Sequence, residues 1–274
     1  MSIKREASGR RSIFVEVEVP GTPEQVWQAI ASGPGISSWF APAQIEQRDG
    51  KPVSLSLTLG PGMDSRAEIT AWDAPRMFAT QAPGWFPGSP PIGTEWTVEA
   101  RAGGVCVVRV VQSLFASTDD WDDQLTGSES GFPGAFRILR MYLTHFAGQE
   151  AGFMQFHAPI GATPQDAWEQ LTAAFGSDGF ETGQSFQVPA GVPSLGGVVQ
   201  HVQDEPPGAL IRLEQPAPGI AVLFTMDFGG PVMATFSLYL YGADAMATIA
   251  REKPRWQQWL DERFPMPVPA GDRQ

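Results

Sequence analysis

The sequence is short of cysteine, lysine and histidine, and it has no long uninterrupted apolar run. A single cysteine, Cys106, rules out an internal disulfide framework. It sits in Val105-Cys106-Val107-Val108, where a buried, reduced thiol is expected; a cytoplasmic location follows. No stretch approaches the ~20 apolar residues needed for a membrane-spanning helix. Positive charge is scarce too: 18 Lys and Arg stand against 30 Asp and Glu, for a net charge of −12. Such a chain repels phosphate backbones and anionic lipid surfaces, which excludes nucleic acid as a partner. The basic residues Lys4, Arg5, Arg10 and Arg11 form the one cationic cluster. No apolar segment follows them, so residues 1–11 read as a disordered, solvated leader and not as a targeting signal.

Catalytic signatures are missing as well. There is no HExxH, paired CxxC, P-loop or GxGxxG. Gly127-Ser128-Glu129-Ser130-Gly131 has Glu where a nucleophile elbow needs Ser. His145, His157 and His201 lack metal-ligand spacing, and no cofactor is expected. Asp119, Asp120, Asp122 and Asp123 around Trp121 have no EF-hand spacing and read as a helix-capping acidic turn.

Apolar and aromatic material is plentiful: 42% of residues are hydrophobic, with nine Trp and seventeen Phe. At 274 residues the chain is long enough for two domains. Val15-Glu16-Val17-Glu18-Val19 alternates as a strand with valines inward. Thr22-Pro23-Glu24 opens a helix with the stripe Val26, Trp27, Ile30, and Gly33-Pro34-Gly35 stops it. A short second helical piece carries Ile36, Trp39 and Phe40. Strands follow over 53–59, 66–72, 77–82, 94–100 and 105–113, the last two joined by Gly103-Gly104. A helix with the stripe Phe136, Leu139, Leu143, Phe146 closes the unit. This order predicts an α+β fold, one antiparallel sheet with a long helix on one face.

The pattern then repeats. Thr163-Pro164-Gln165-Asp166-Ala167-Trp168 restates Thr22-Pro23-Glu24-Gln25-Val26-Trp27 at an offset of 141. Strand-like runs occupy 153–158, 197–202, 210–214, 220–228 and 232–241. A final helix carries Trp256, Trp259, Leu260 and Phe264, with Pro254 starting or kinking it. Two tandem units result, residues 12–149 and the more diverged 150–265, with 266–274 a disordered tail.

Four stretches of the first unit carry a family likeness: Thr22-Pro23-x-x-Val26-Trp27, Trp39-Phe40-Ala41-Pro42, Gly103-Gly104 with its following strand, and Gly131-Phe132-Pro133 before the last helix. In these it resembles the SRPBCC (START-like, helix-grip) superfamily, in particular the bacterial group related to the activator of heat-shock-protein ATPase. The second unit has Ser177-Asp178-Gly179-Phe180 where the Trp-Phe-x-Pro element belongs. The resemblance implies two helix-grip units, each a curved antiparallel sheet wrapped around its C-terminal helix, with a short helix pair near the N-terminus and an apolar cavity between sheet and helix. It also implies an apolar small molecule or lipid as partner. Three functions follow as expectations: hydrophobic ligand binding in the first unit, a didomain aromatase/cyclase acting on a polyketide-like substrate, or a co-chaperone-like module contacting a chaperone or a second copy.

The candidate lining is Trp39, Phe40, Trp85 and Phe86 at the cavity mouth, with Trp96, Leu139, Tyr142 and Leu143 on the strand and helix. Arg109 interrupts an apolar strand, and an inward position lets it orient a carbonyl or anionic ligand; an outward position makes it a sheet-face cation. Arg66 and Glu68 share a strand face and form a candidate surface pair. Tyr239 and Tyr241, on one face with Ser237, are candidate general acids lacking a nearby base.

Overall fold

The computed structural model describes residues 3–60, 64–84, 88–116, 118–227 and 232–265. The chain divides into two compact units, Met1–Glu150 and Ala151–Gln274.

The first unit opens with β1 (Lys4–Arg5) and β2 (Arg10–Pro20), then α1 (Pro23–Ile30) and α2 (Gly33–Ser37). The α1 start is a capping box. Gln25 N–H donates to Thr22 Oγ1 at 3.3 Å, and Thr22 N–H donates back to Gln25 Oε1 at 2.9 Å, worth about 1 kcal/mol. α1 and α2 meet closely at Gly35, where a Cβ atom would lie 1.9 Å from the Gln28 carbonyl oxygen. Six strands follow: β3 (Ala43–Arg48), β4 (Lys51–Thr58), β5 (Asp64–Asp73), β6 (Met77–Ala82), β7 (Ile92–Arg101) and β8 (Val105–Phe115). The helix α3 (Asp122–His145) ends the unit. All eight strands form one antiparallel sheet in the order β1-β2-β8-β7-β6-β5-β4-β3.

Three expectations need correction. Residues 3–11 are not a loose leader. Arg11 is buried, and its Nε and Nη2 donate to Asp122 Oδ1 and Oδ2 at 2.5 Å each, while Arg5 reaches Oδ2 at 3.0 Å. Asp122, the first residue of α3, therefore clasps Arg5 and Arg11 as well as favouring the helix N-terminus. The clasp also explains why α3 begins at Asp122, well before Pro133: Leu125 is fully buried in that first stretch despite the glycines around it. Lastly, β3 had no strong strand signal. It is closed onto β4 by Asp49-Gly50, both at positive φ (52° and 74°), a two-residue hairpin turn.

The Arg11 guanidinium holds the Asp122 carboxyl below its usual range. A carboxyl depressed in the folded state stabilises above its unfolded pKa, and that contribution fades as pH falls through the folded value. Asp122→Asn is expected to lower the first unit's melting midpoint by about 5 °C at pH 7. The gap to the parent should narrow as the parent is titrated below the ordinary carboxylate range. A pH-independent gap would remove the ion pair as its cause.

The second unit runs β9 (Gly152–Pro159), α4 (Pro164–Ala174), β10 (Ser185–Gln187), β11 (Gly196–Asp204), β12 (Pro207–Gln215), β13 (Gly219–Met226), β14 (Met233–Leu240) and α5 (Ala245–Arg263). Its sheet order is β10-β11-β12-β13-β14-β9. Thr163 caps α4 as Thr22 caps α1, accepting from Asp166 N–H at 3.1 Å. Pro254 lies inside α5 and does not start it. No counterpart of α2 follows α4 among the described residues. Phe180 occupies that place instead, buried and edge-on to Trp168 at 5.8 Å. The residues 266–274, expected to be a disordered tail, lie outside the described residues.

Candidate functional site

The face of the first sheet turned toward α3 is set by the phase of β2. Val15 and Val19 are buried on it, and Glu16 and Glu18 are exposed on the other. Register carries that phase across the sheet. One row runs Val15, Val110, Trp96, Phe78, Trp72 over β2, β8, β7, β6 and β5. The next row runs Ile13, Gln112, Thr94, Thr80, Ile69 over the same strands. The inner face thus has an aromatic row beside a row with three polar side chains.

The aromatic row continues into both helices. Trp27 of α1 sits edge-on to Trp72 at 5.1 Å, Trp72 meets Phe78 at 5.5 Å, and Phe78 stacks on Trp96 at 6.1 Å with an interplanar angle of 4°. Trp96 then touches Phe132 and Phe136 of α3 at 6.1 and 6.0 Å. Aromatic contacts of this kind contribute ~0.5–1.5 kcal/mol beyond area burial. Coverage is uneven along the sheet. Val108, Val110 and Leu139 near α3 are fully buried. Farther out, Ile45, Leu55, Leu57, Ile69, Trp72 and Trp96 remain only half-buried. The inner face of this unit therefore keeps an apolar stretch that its helices cover only in part.

Packing in the second unit differs. Its helix-facing residues Val199, Ile211, Leu213, Ala221, Leu223, Phe236 and Leu238 are all buried in one cluster with Trp256. Trp256 is 0% exposed, with Phe236 at 4.7 Å and Phe175 at 5.9 Å. Side chains fill the space that stays partly uncovered in the first unit.

The individual lining residues separate clearly. Trp96, Leu139 and Leu143 lie between sheet and helix: Trp96 is half-buried, the two leucines buried. Tyr142 is buried, and its hydroxyl donates to the Gln149 carbonyl at 3.2 Å. Trp39 is not at a mouth. It is 2% exposed and its indole N–H donates to the Ala29 carbonyl at 3.0 Å, tying α2 to α1. Phe40, half-buried, tilts against it at 5.5 Å. Trp85 and Phe86 lie outside the described residues.

Arg109 is a correction to the inward expectation. It pairs with Glu16 by register, on the opposite face from Val15 and Val110. Its Nε donates to Glu16 Oε1 at 2.6 Å, and its guanidinium lies 5.6 Å from the Phe14 ring centroid. Two shallow depressions of about 310 Å³ each flank it on this outer face. Glu16, Glu18 and Arg101 line one beside Arg109, and Glu95, Phe14 and Val111 line the other, so charged and apolar side chains share this outer face. Arg66 likewise pairs with Glu46 on β3, at 2.5 Å, and not with Glu68. In the second unit Ser237 and Tyr239 face away from the Phe236 and Leu238 cluster, and burial pushes the Tyr239 hydroxyl far above its usual range. His157 Nδ1 is 3.1 Å from Thr235 Oγ1, and burial lowers its pKa. No cluster of three or more metal-ligating side chains occurs among the described residues. No helix among them is long and apolar enough to cross a membrane.

Sequence reasoning missed Ile69, Thr80, Thr94 and Gln112. Their signal was the clear Val15/Glu16 phase, which settles the facing of β8 and β7 once the strands are paired.

The sheet order and the long closing helix define the class: an α+β helix-grip fold, present as two successive units. Within it, residues 10–137, just under half the chain, match the family described as polyketide cyclase / dehydrase and lipid transport. No curated protein matches. Solved structures similar to the chain include the di-domain ARO/CYC BexL from the BE-7585A biosynthetic pathway (12% identity, 94% of this chain and 100% of that one, TM-score 0.46). CalU16 from Micromonospora echinospora is similar over 52% of this chain and 83% of its own (17% identity, TM-score 0.41). Protein Ms6760 from Mycobacterium smegmatis is similar over 53% and 97% (20% identity, TM-score 0.40).

Proposed function

We propose that the protein binds a hydrophobic small molecule or lipid against the inner face of its first unit. The observation that supports this most is the half-buried apolar surface from Ile45 to Trp96, set against the filled interior of the second unit. The match of residues 10–137 to a polyketide cyclase and lipid transport family agrees with it. Binding is favoured over catalysis because the polar groups of the inner rows, Thr80, Thr94 and Gln112, carry no proton that is exchanged near neutral pH. The reduced, buried Cys106 fits a cytoplasmic setting.

The full chain titrated with N-phenyl-1-naphthylamine, a neutral apolar fluorophore, is expected to show saturable binding of one probe. Burying roughly 200 Å² of probe at ~25 cal/mol/Å² offers at most ~5 kcal/mol, so the dissociation constant should be about 0.2 mM or weaker. Arg109→Ala is expected to leave this constant unchanged within about twofold, because Arg109 points the other way. Non-saturable fluorescence would defeat the reading, and a large loss on Arg109→Ala would move the site to the outer face.

A further inference from the structure

The polar row on the inner face contains one group that the fold leaves unmatched. Gln112 is 7% exposed, and its Oε1 is buried without a hydrogen-bond partner. The carboxamide is held only through a long contact from Nε2 to Thr94 Oγ1 at 3.4 Å. A buried acceptor left in this state is costly, and native interiors rarely retain one without a use for it. Its surroundings point to that use. Gln112 lies between Ile13 and Thr94 in register, and Thr94 leads through Thr80 to the half-buried Ile69. The adjacent row is Val110, Trp96, Phe78, Trp72.

We infer that Gln112, with Thr94 and Thr80 beside it, is the specificity-determining polar end of the binding face, and that it selects an aromatic ligand carrying a hydroxyl group. This rests on the reading of that face as the binding site. The chemistry follows from the row. Oε1 needs a neutral donor, since a cation would be stripped of water among apolar side chains with no carboxylate in either row to pair with. A phenolic O–H supplies such a donor, and the same oxygen can accept from a threonine hydroxyl. The ring then lies along Trp96, the half-buried aromatic next to Thr94 on the inner face, with the buried Phe78 behind it. A ligand without the hydroxyl would leave Oε1 unmatched and gain only area.

The test compares naphthalene with 2-naphthol as competitors of N-phenyl-1-naphthylamine on the full chain. Area alone favours naphthalene, because naphthol must give up water from its hydroxyl. The expected result is the reverse: 2-naphthol tighter by about 5–10-fold. In Gln112→Met the preference should vanish or invert, and in Thr94→Val it should shrink. Ligand-free Gln112→Met should melt no lower than the parent, because it removes an orphaned acceptor at nearly constant volume. Equal or weaker binding of 2-naphthol by the parent overturns the inference and leaves the site reading intact. A naphthol preference that survives Gln112→Met, or a steep fall in that variant's melting temperature, also overturns it. Failure of the fluorophore to bind at all removes the site itself.

Discussion

Trp256→Ala is expected to lower the melting midpoint of the second unit by about 15 °C, a loss of about 4 kcal/mol. Trp256 is wholly buried and is enclosed by Phe236, Phe175 and Trp259 at ring distances of 4.7 to 5.9 Å. Phe236 is held from its other side by Phe156 of the neighbouring strand, so collapse into the vacated volume is limited. Large-to-alanine changes in such interiors cost both the transfer energy and the cavity. Trp256→Phe makes a revealing control. The indole N–H has no hydrogen-bond partner, so its removal takes away no contact, and the cost should fall to about 1 kcal/mol. Differential scanning calorimetry of both variants checks the pair. Trp96→Ala in the first unit should cost less, about 2 kcal/mol, because that side chain is already half in water. Equal losses for Trp96→Ala and Trp256→Ala would contradict the difference in packing between the two units.

Ile69→Arg is expected to weaken binding of the neutral fluorophore by at least about 10-fold. Ile69 lies on the inner face opposite Thr80, and its half-buried side chain contributes to the uncovered apolar surface. An arginine there places a hydrated cation in the surface the ligand must dry, and removing that water costs several kcal/mol unless the cation swings aside. Partial exposure in the ligand-free protein lets the guanidinium reach solvent, so folding should survive with a midpoint within about 5 °C of the parent. Fluorescence titration and calorimetry on one sample separate the two effects. Unaltered affinity in a folded Ile69→Arg protein would exclude the β5–β6 part of the inner face from the binding site.

How far the sequence could be read depends on how each element is specified. α1 and α4 were legible because their signals are local: a threonine cap, a proline at the first position, and a tryptophan on the stripe, repeated at 141 residues. The hairpin at Gly103-Gly104 was legible for the same reason, both glycines standing at positive φ. The first half of α3 was not. Its residues include Gly127 and Gly131, poor helix formers, and the segment is fastened by Arg11, more than a hundred residues away. β8 was legible as a strand but not in its facing. Val107 and Val111 alternate with Val108 and Val110, so apolar residues lie on both faces and the positions of Arg109 and Gln112 stay open. Pairing with the clean alternation of β2 resolves it: Glu16 opposite Arg109 outside, Ile13 opposite Gln112 inside. An orphaned acceptor such as Gln112 Oε1 leaves no trace in composition or spacing, since it is defined by what three neighbouring strands fail to supply.

The pairing of β2 with β8, and the Arg11–Asp122 clasp at its end, have a consequence for the order of assembly. The first long strand of the unit cannot find its neighbour until the chain has been made past residue 115, and cannot be fastened until residue 122 follows. Everything between, from α1 through the β3–β7 meander, pairs locally and can form sooner. Joining segments so far apart in sequence carries a loop-closure cost that local hairpins avoid, and contacts of this range slow folding. During synthesis the valine-rich strand Arg10–Pro20 therefore waits with its β8 edge unpaired, and Glu16 and Glu18 on its outer face favour its solubility.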